Sequence, residues 1–179
     1  MKYIIFDLEA TCEKDDKNFR NEIIEIGAVK INEKLEIVDE FCSFIKPILN
    51  PKLTDFCKEL TTISQEDMDG ADGFKEVLNR FINWVGEEEY ILCSWGFYDK
   101  SQFKKDCELH NISTSWLKNH ISLKHQHGKK IMGIEKGVGM ERALNKAGLK
   151  LHGIHHRGID DAKNIAQIFV KYFDIWDFS

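Results

Sequence analysis

Residues 3–9, Tyr3-Ile4-Ile5-Phe6-Asp7-Leu8-Glu9, are apolar at every position until two carboxylates enter at the end. A short β-branched and aromatic run with no polar alternation reads as a strand covered on both faces, hence a central one. The strand's period of two puts Asp7 and Glu9 on one face and Phe6 and Leu8 on the other. Two carboxylates side by side are penalised in a buried setting unless a cation sits between them. Either the pair marks an exposed strand end, or it offers oxygen ligands to a hard divalent cation.

Outward from this strand, residues 22–31 and 36–45 carry β-branched and aromatic residues around the turn-like Asn32-Glu33-Lys34, which predicts a three-strand meander. Pro47 and Pro51 interrupt it, and Phe74, Val77, Leu78, Phe81, Ile82 and Val85 then recur at helical spacing. Residues 90–94 form an apolar run too short for a helix. Helix-compatible composition returns at 100–109, 140–147 and 160–173, the last two separated by the glycine-rich stretch 148–158. Strands first, then a strand among helices, predicts a mixed sheet with helices packed on it.

The chain has 179 residues, enough for one core and too few for two ordinary domains, so a single domain over 1–179 is expected. No apolar run approaches a membrane span and no signal peptide opens the chain, which leads to the expectation of a soluble, cytoplasmic protein. Five scattered cysteines without a Cys-x-x-Cys signal neither a disulfide framework nor a zinc site. Net charge is −5, but residues 1–100 hold 12 basic against 22 acidic residues and 101–179 hold 13 against 8. Lys118, Lys124, Lys129, Lys130 and Lys136 meet one acid, Glu135, and form a candidate anion-attracting surface.

A metal site needs more ligands than Asp7 and Glu9. Asp99 opens a predicted helix, aligned with Phe103 and Cys107, and so points toward the sheet; it is equally placed to cap that helix. In Gly153-Ile154-His155-His156-Arg157-Gly158-Ile159-Asp160-Asp161, helical steps from Asp160 reach the polar Asn164, Gln167 and Lys171. Steps from Asp161 reach Ile165, Ile168, Phe169 and Tyr172. Asp161 therefore faces the core and Asp160 the solvent. A histidine working with Asp161 at the five-residue offset is His156, and its neighbours His155 and Asp160 are expected to face away.

Four acids and a histidine in the order Asp-x-Glu, Asp, His-x-x-x-x-Asp resemble the DEDDh 3′ to 5′ exonucleases, the superfamily of RNase T and the DNA polymerase III proofreading subunit. FDLEATC, LTDFCKELTTISQEDMDGAD, SWGFYDKSQF and GIHHRGIDDAKNIA are most like its Eri-type branch, in content and order, over nearly the whole chain. The resemblance implies an α/β, ribonuclease-H-like fold with a five-stranded mixed sheet flanked by helices. It assigns Asp7, Glu9, Asp99 and Asp161 to two Mg(II) or Mn(II) ions, His156 to the general base, and Glu9 a part in catalysis. Two such ions can clamp the attacking and leaving oxygens of a displacement at phosphorus.

The implied partners are the 3′ ends of single-stranded RNA or DNA, with nucleoside 5′-monophosphates as products, and the implied protein is a monomer with no dedicated protein partner. The backbone around Ala10 and Thr11 would meet the terminal sugar, and Phe56, Ile63 and Trp95 would hold bases, Phe56 and Trp95 being equally readable as core residues. No residues precede Met1 to form an extra nucleic-acid-binding domain, so a catalytic domain alone is expected. The competing reading is a nucleic-acid-binding module with little or no catalysis, against which the full set of five residues counts.

Overall fold

The computed structural model describes residues 1–178. The quoted run lies in β1 (Lys2–Ala10), third in a five-stranded sheet of order β3-β2-β1-β4-β5. β2 (Ile23–Ile31) pairs antiparallel with β1, and β3 (Ile37–Phe44) antiparallel with β2. β4 (Tyr90–Ser94) lies parallel on the other side of β1, followed by the parallel β5 (His120–Ser122). The mixed sheet flanked by helices is the expected fold class, and the meander falls where the β-branched runs place it.

The two faces of β1 bury different layers. Ile4, Phe6 and Leu8 pack with Phe81 of α3 (Phe74–Val85) and Phe103 of α4 (Tyr98–Leu109). Tyr3 and Ile5 pack with Leu144 of α6 (Met140–Ala147) and with Ile165, Ile168 and Phe169 of α7 (Gly158–Lys171). Asp7 and Glu9 continue the Tyr3–Ile5 parity, so the fold directs both carboxylates toward the layer that contains α7.

Sequence periodicity predicts neither β5, only three residues long, nor the short helices α1 (Asp55–Thr61), α2 (Gln65–Asp69) and α5 (Leu123–His127). None is long enough to display two turns of a pattern. Local chemistry marks two of them instead. The Thr54 hydroxyl accepts from the Cys57 N–H at the start of α1, and Ser64 and Asp67 form a reciprocal capping box at α2. Together these helices cover a small satellite core of Ile24, Leu53, Cys57, Ile63 and Met68. Among the described residues no helix is long and apolar enough to cross a membrane.

Candidate active site

β1 pairs with β4 only as far as Ile5–Cys93, so beyond Ile5 the two parallel strands part at their carboxyl ends. A cleft at such a divergence is the usual ligand site of open α/β sheets. The free edge of β1 leaves the Leu8 N–H without a strand partner, and Asp99 Oδ1 accepts from it at 3.3 Å. That bond, from the second residue of α4, brings Asp99 to the sheet. Asp99 does not occupy the N-cap position of α4, which is Phe97 and makes no side-chain cap bond.

α7 supplies the opposite wall, and two glycines set how closely it approaches. A Cβ on Gly27, the β2 partner of Asp7, would lie 2.0 Å from both the Gly158 carbonyl carbon and the Ile159 nitrogen. Only a bare backbone lets the first turn of α7 rest on the strand pair. Glu25, fully buried opposite Glu9, anchors that turn: it accepts from the Gly158 N–H at 3.2 Å and pairs with Arg157 Nε at 3.2 Å.

The result is a cleft of about 450 Å³ in which Asp7, Glu9, Asp99 and Asp161 converge from β1, α4 and α7. Carboxylate oxygens of Asp7, Glu9 and Asp161 lie within 4.8 Å of one another. Burial holds the Asp7 carboxyl well above its ordinary range, with the charges of Asp99, Glu9 and Asp161 adding to the effect. Burial, then Asp161 and Glu25, pushes Glu9 up to about 8. Asp99 is raised to about 6 by burial, opposed by hydrogen bonds from its own N–H, Leu8 and Ser94.

Among the described residues no lysine or arginine forms an ion pair with these four acids, since Arg157 is engaged by Glu25. A largely buried, all-oxygen cluster with no lysine or arginine paired to it is the donor set that hard divalent cations fill.

Glu9 keeps its proton in the folded, metal-free protein up to about pH 8, whereas unfolded it releases that proton near the ordinary glutamate value of 4.5. Its contribution to stability is therefore present below about pH 4.5 and is lost as pH rises through about 8. A cation among the carboxylates reverses the penalty, so excess Mg(II) should raise the melting temperature more at about pH 9 than at about pH 6. Calorimetry at the two pH values checks it; an equal or smaller gain at the higher pH would contradict the cluster as the ligand.

The strap before α7 brings in both histidines. His156 donates its backbone N–H to Asp161 Oδ2 at 3.0 Å, so the five-residue offset is realised through the main chain. His155, expected to face away, instead lines the cleft and places Nδ1 3.0 Å from Asp161 Oδ1. The reason is the left-handed backbone of His156, φ 65°, which a count of helix faces does not extend to. Burial, then the neighbouring His155, lowers the His156 pKa, with Asp161 opposing. Asp160 does turn away: its carboxylate accepts from the Ile154 N–H at 2.8 Å and does not line the cleft.

Of the residues assigned to the nucleotide, Ala10 and Trp95 line the cleft. Trp95 is also a core residue, 9% exposed, with its indole N–H donating to the Val138 carbonyl at 3.0 Å. Thr11, Phe56 and Ile63 do not line the cleft. Thr11 is buried, its N–H donating to the Glu22 carbonyl and its hydroxyl accepting from the Glu22 N–H. Ile63 is fully enclosed in the satellite core, and Phe56 lies half-buried on α1 outside the cleft.

Leu60 and Thr61, later on the same short helix, line the wall instead, with Tyr98, Met140 and Lys124 completing it. Helical steps of four or five from Phe56 lead to Leu60 and Thr61, the one sequence signal that points to them. Of the candidate basic surface only Lys124 reaches the cleft, while Lys130 Nζ donates to the Ile175 carbonyl.

Comparison with known proteins gives a consistent picture. An exonuclease family, RNase_T, matches residues 4–169. Human (Homo sapiens) 3′-5′ exoribonuclease 1 is 36% identical over 177 residues, covering 93% of this chain and 51% of the relative. The chain thus spans about half the length of such curated relatives. The crystal structure of the nuclease domain of 3′hExo, a DEDDh family member bound to rAMP, superposes with a TM-score of 0.91 at 33% identity, covering 97% of this chain and 92% of that one. A 3′-exonuclease solved in 3′-end-specific recognition of the histone mRNA stem-loop matches with a TM-score of 0.90 at 32% identity, over 96% and 63% of the two chains.

Proposed function

The chain belongs to the RNase_T exonuclease family, and from that membership we propose that it is a metal-dependent 3′ to 5′ exonuclease. It hydrolyses the 3′-terminal phosphodiester of single-stranded or short RNA, and DNA as a second substrate, releasing nucleoside 5′-monophosphates. The observation that carries this reading is the convergence of Asp7, Glu9, Asp99 and Asp161 in one cleft, in a domain that matches an rAMP-bound DEDDh nuclease domain over 92% of its length. The exoribonuclease names of the relatives favour RNA as the main substrate.

In this reading the four carboxylates hold two divalent ions, Mg(II) or Mn(II). When bound, these ions supply charge neutralisation at the scissile phosphate and Lewis acidity toward the attacking water. The chain's own residues do the rest. Asp99, fixed by Leu8, and Asp161, fixed by the His156 N–H, keep their oxygens aimed at the cleft before any ligand arrives. A ring nitrogen of His156, whose lowered pKa leaves it unprotonated at neutral pH, accepts the proton of the water. Ala10 and Trp95 bound a space suited to one terminal nucleotide.

End-labelled RNA and DNA oligonucleotides incubated with Mg(II), Mn(II) or chelator test this. The expected result is a ladder shortening from the 3′ end in either metal, faster on RNA, and none with chelator. Internal cuts would indicate an endonuclease, and tight binding without cleavage a regulatory module; either result contradicts the proposal.

A further inference from the structure

Two successive histidines in an extended chain point to opposite sides; His155 and His156 do not. The left-handed backbone at His156 stacks the two rings, with centroids 4.0 Å apart and planes inclined by 23°. A non-glycine residue in that region carries a cost that its surroundings must hold in place. Here the strap 152–156 is bonded along α7. Asn164 accepts from the His152 N–H and donates to its carbonyl, Asp160 accepts from Ile154, and Asp161 accepts from His156. The hydrolytic reading uses Asp161 and the His156 ring, and leaves His155 without a role.

We propose that His155, His156 and Asp161 form a binding site for a borderline divalent transition metal, of which Zn(II) is the type. One donor atom from each residue lies within 4.8 Å of the other two. Ligands held about 2.0–2.2 Å from one ion, at angles between octahedral and tetrahedral, stand roughly 2.8–3.6 Å apart. His155 Nδ1 and Asp161 Oδ1 already stand at 3.0 Å. Coordination replaces the hydrogen bond between them by bonds to the ion, and the proton moves by way of solvent from Nδ1 to the exposed Nε2, so that the ligand is a neutral imidazole.

Two imidazoles and a carboxylate suit Zn(II), whereas Mg(II) prefers the all-oxygen set of Asp7, Glu9 and Asp161. The two sites share Asp161 and differ in donor chemistry. The His155 side chain is 40% exposed, which gives an ion access from solvent, and water completes its coordination. An ion there takes up both the His156 ring and Asp161, so Zn(II) inhibits hydrolysis even with Mg(II) present. That consequence, unlike the binding itself, rests on the hydrolytic reading of the cleft.

The test is calorimetric titration of the nucleic-acid-free protein with Zn(II) and separately with Mn(II), for wild type, His155→Ala, His155→Phe and Cys12→Ser. His155→Phe keeps a stacked ring without a donor nitrogen, and Cys12→Ser removes a thiol that also lines the cleft. Circular dichroism identifies which variants fold. One tight Zn(II) site is expected in wild type and in Cys12→Ser, weakened at least about tenfold in both His155 variants, with Mn(II) affinity retained. Undiminished Zn(II) affinity in the folded His155 variants, equal loss of both metals, or loss only in Cys12→Ser would overturn the site. Zn(II) bound as expected without inhibiting hydrolysis would leave the site standing and contradict the roles given to His156 and Asp161.

Discussion

Asp161→Asn should lower the rate of 3′-terminal hydrolysis by about 10³-fold or more, while Asp160→Asn costs no more than about fivefold. The residues are adjacent and chemically identical, so position alone separates them. Asp161 shares the cleft with Asp7 and Glu9. Charge stabilisation of several kcal/mol at the reacting phosphate depends on that carboxylate, and each ~1.4 kcal/mol is a factor of ten in rate. Asp160 serves only the strap, accepting from the Ile154 N–H. An asparagine there keeps an acceptor oxygen, and one hydrogen bond is worth about 1 kcal/mol. Single-turnover rates on a short RNA measure both variants; comparable losses, or the larger loss at Asp160, would refute the register of α7.

The second large effect is expected at a residue with no side chain, Gly27, the β2 partner of Asp7. Gly27→Ala should destabilise the protein by about 3 kcal/mol, near the upper end of ordinary overpacking costs. For a domain of this size that is a fall in melting temperature of roughly 6–12 °C. The added Cβ would meet backbone atoms of Gly158 and Ile159 at 2.0 Å, and backbone cannot rotate aside as a side chain can. Relief requires the first turn of α7 to lift, and Asp161 with it. Misplacing a reacting group by about 1 Å can cost on the order of 10²-fold in rate. Hydrolysis should therefore fall even where Gly27→Ala remains folded. Gly70→Ala is the control: its nearest contact would be 3.6 Å away and its φ is −87°, so melting should shift little. Equal shifts for the two variants would contradict the close approach of α7 as their cause.

The central strand and the convergence of acids were legible in sequence because both rest on short-range periodicity. Ile4, Phe6 and Leu8 alternate with Tyr3 and Ile5 into the two cores, and the same alternation carries Asp7 and Glu9 to the face of α7. Helix counting separated Asp161 from Asp160 for the same reason. What stayed hidden depends on long-range or non-repeating geometry. The approach of Gly158 to Gly27 joins residues 131 positions apart. Nothing in the sequence sets Glu25 apart from the other acids of the chain, yet it is fully buried and holds the start of α7. His155 was misplaced because one left-handed residue reverses the direction of its side chain. Thr11 and Ile63 lie in matching sequence blocks, but Glu22 and the satellite core claim them.

The most direct test of the account is the identity of the first product released from a short RNA with Mg(II) in ¹⁸O-enriched water, read by mass spectrometry. Hydrolysis at the 3′-terminal phosphodiester by attack of water predicts a nucleoside 5′-monophosphate carrying one solvent-derived oxygen on its phosphate. A 2′,3′-cyclic phosphate, a 3′-phosphate or an internal fragment as first product would contradict the chemistry assigned to the four carboxylates and His156.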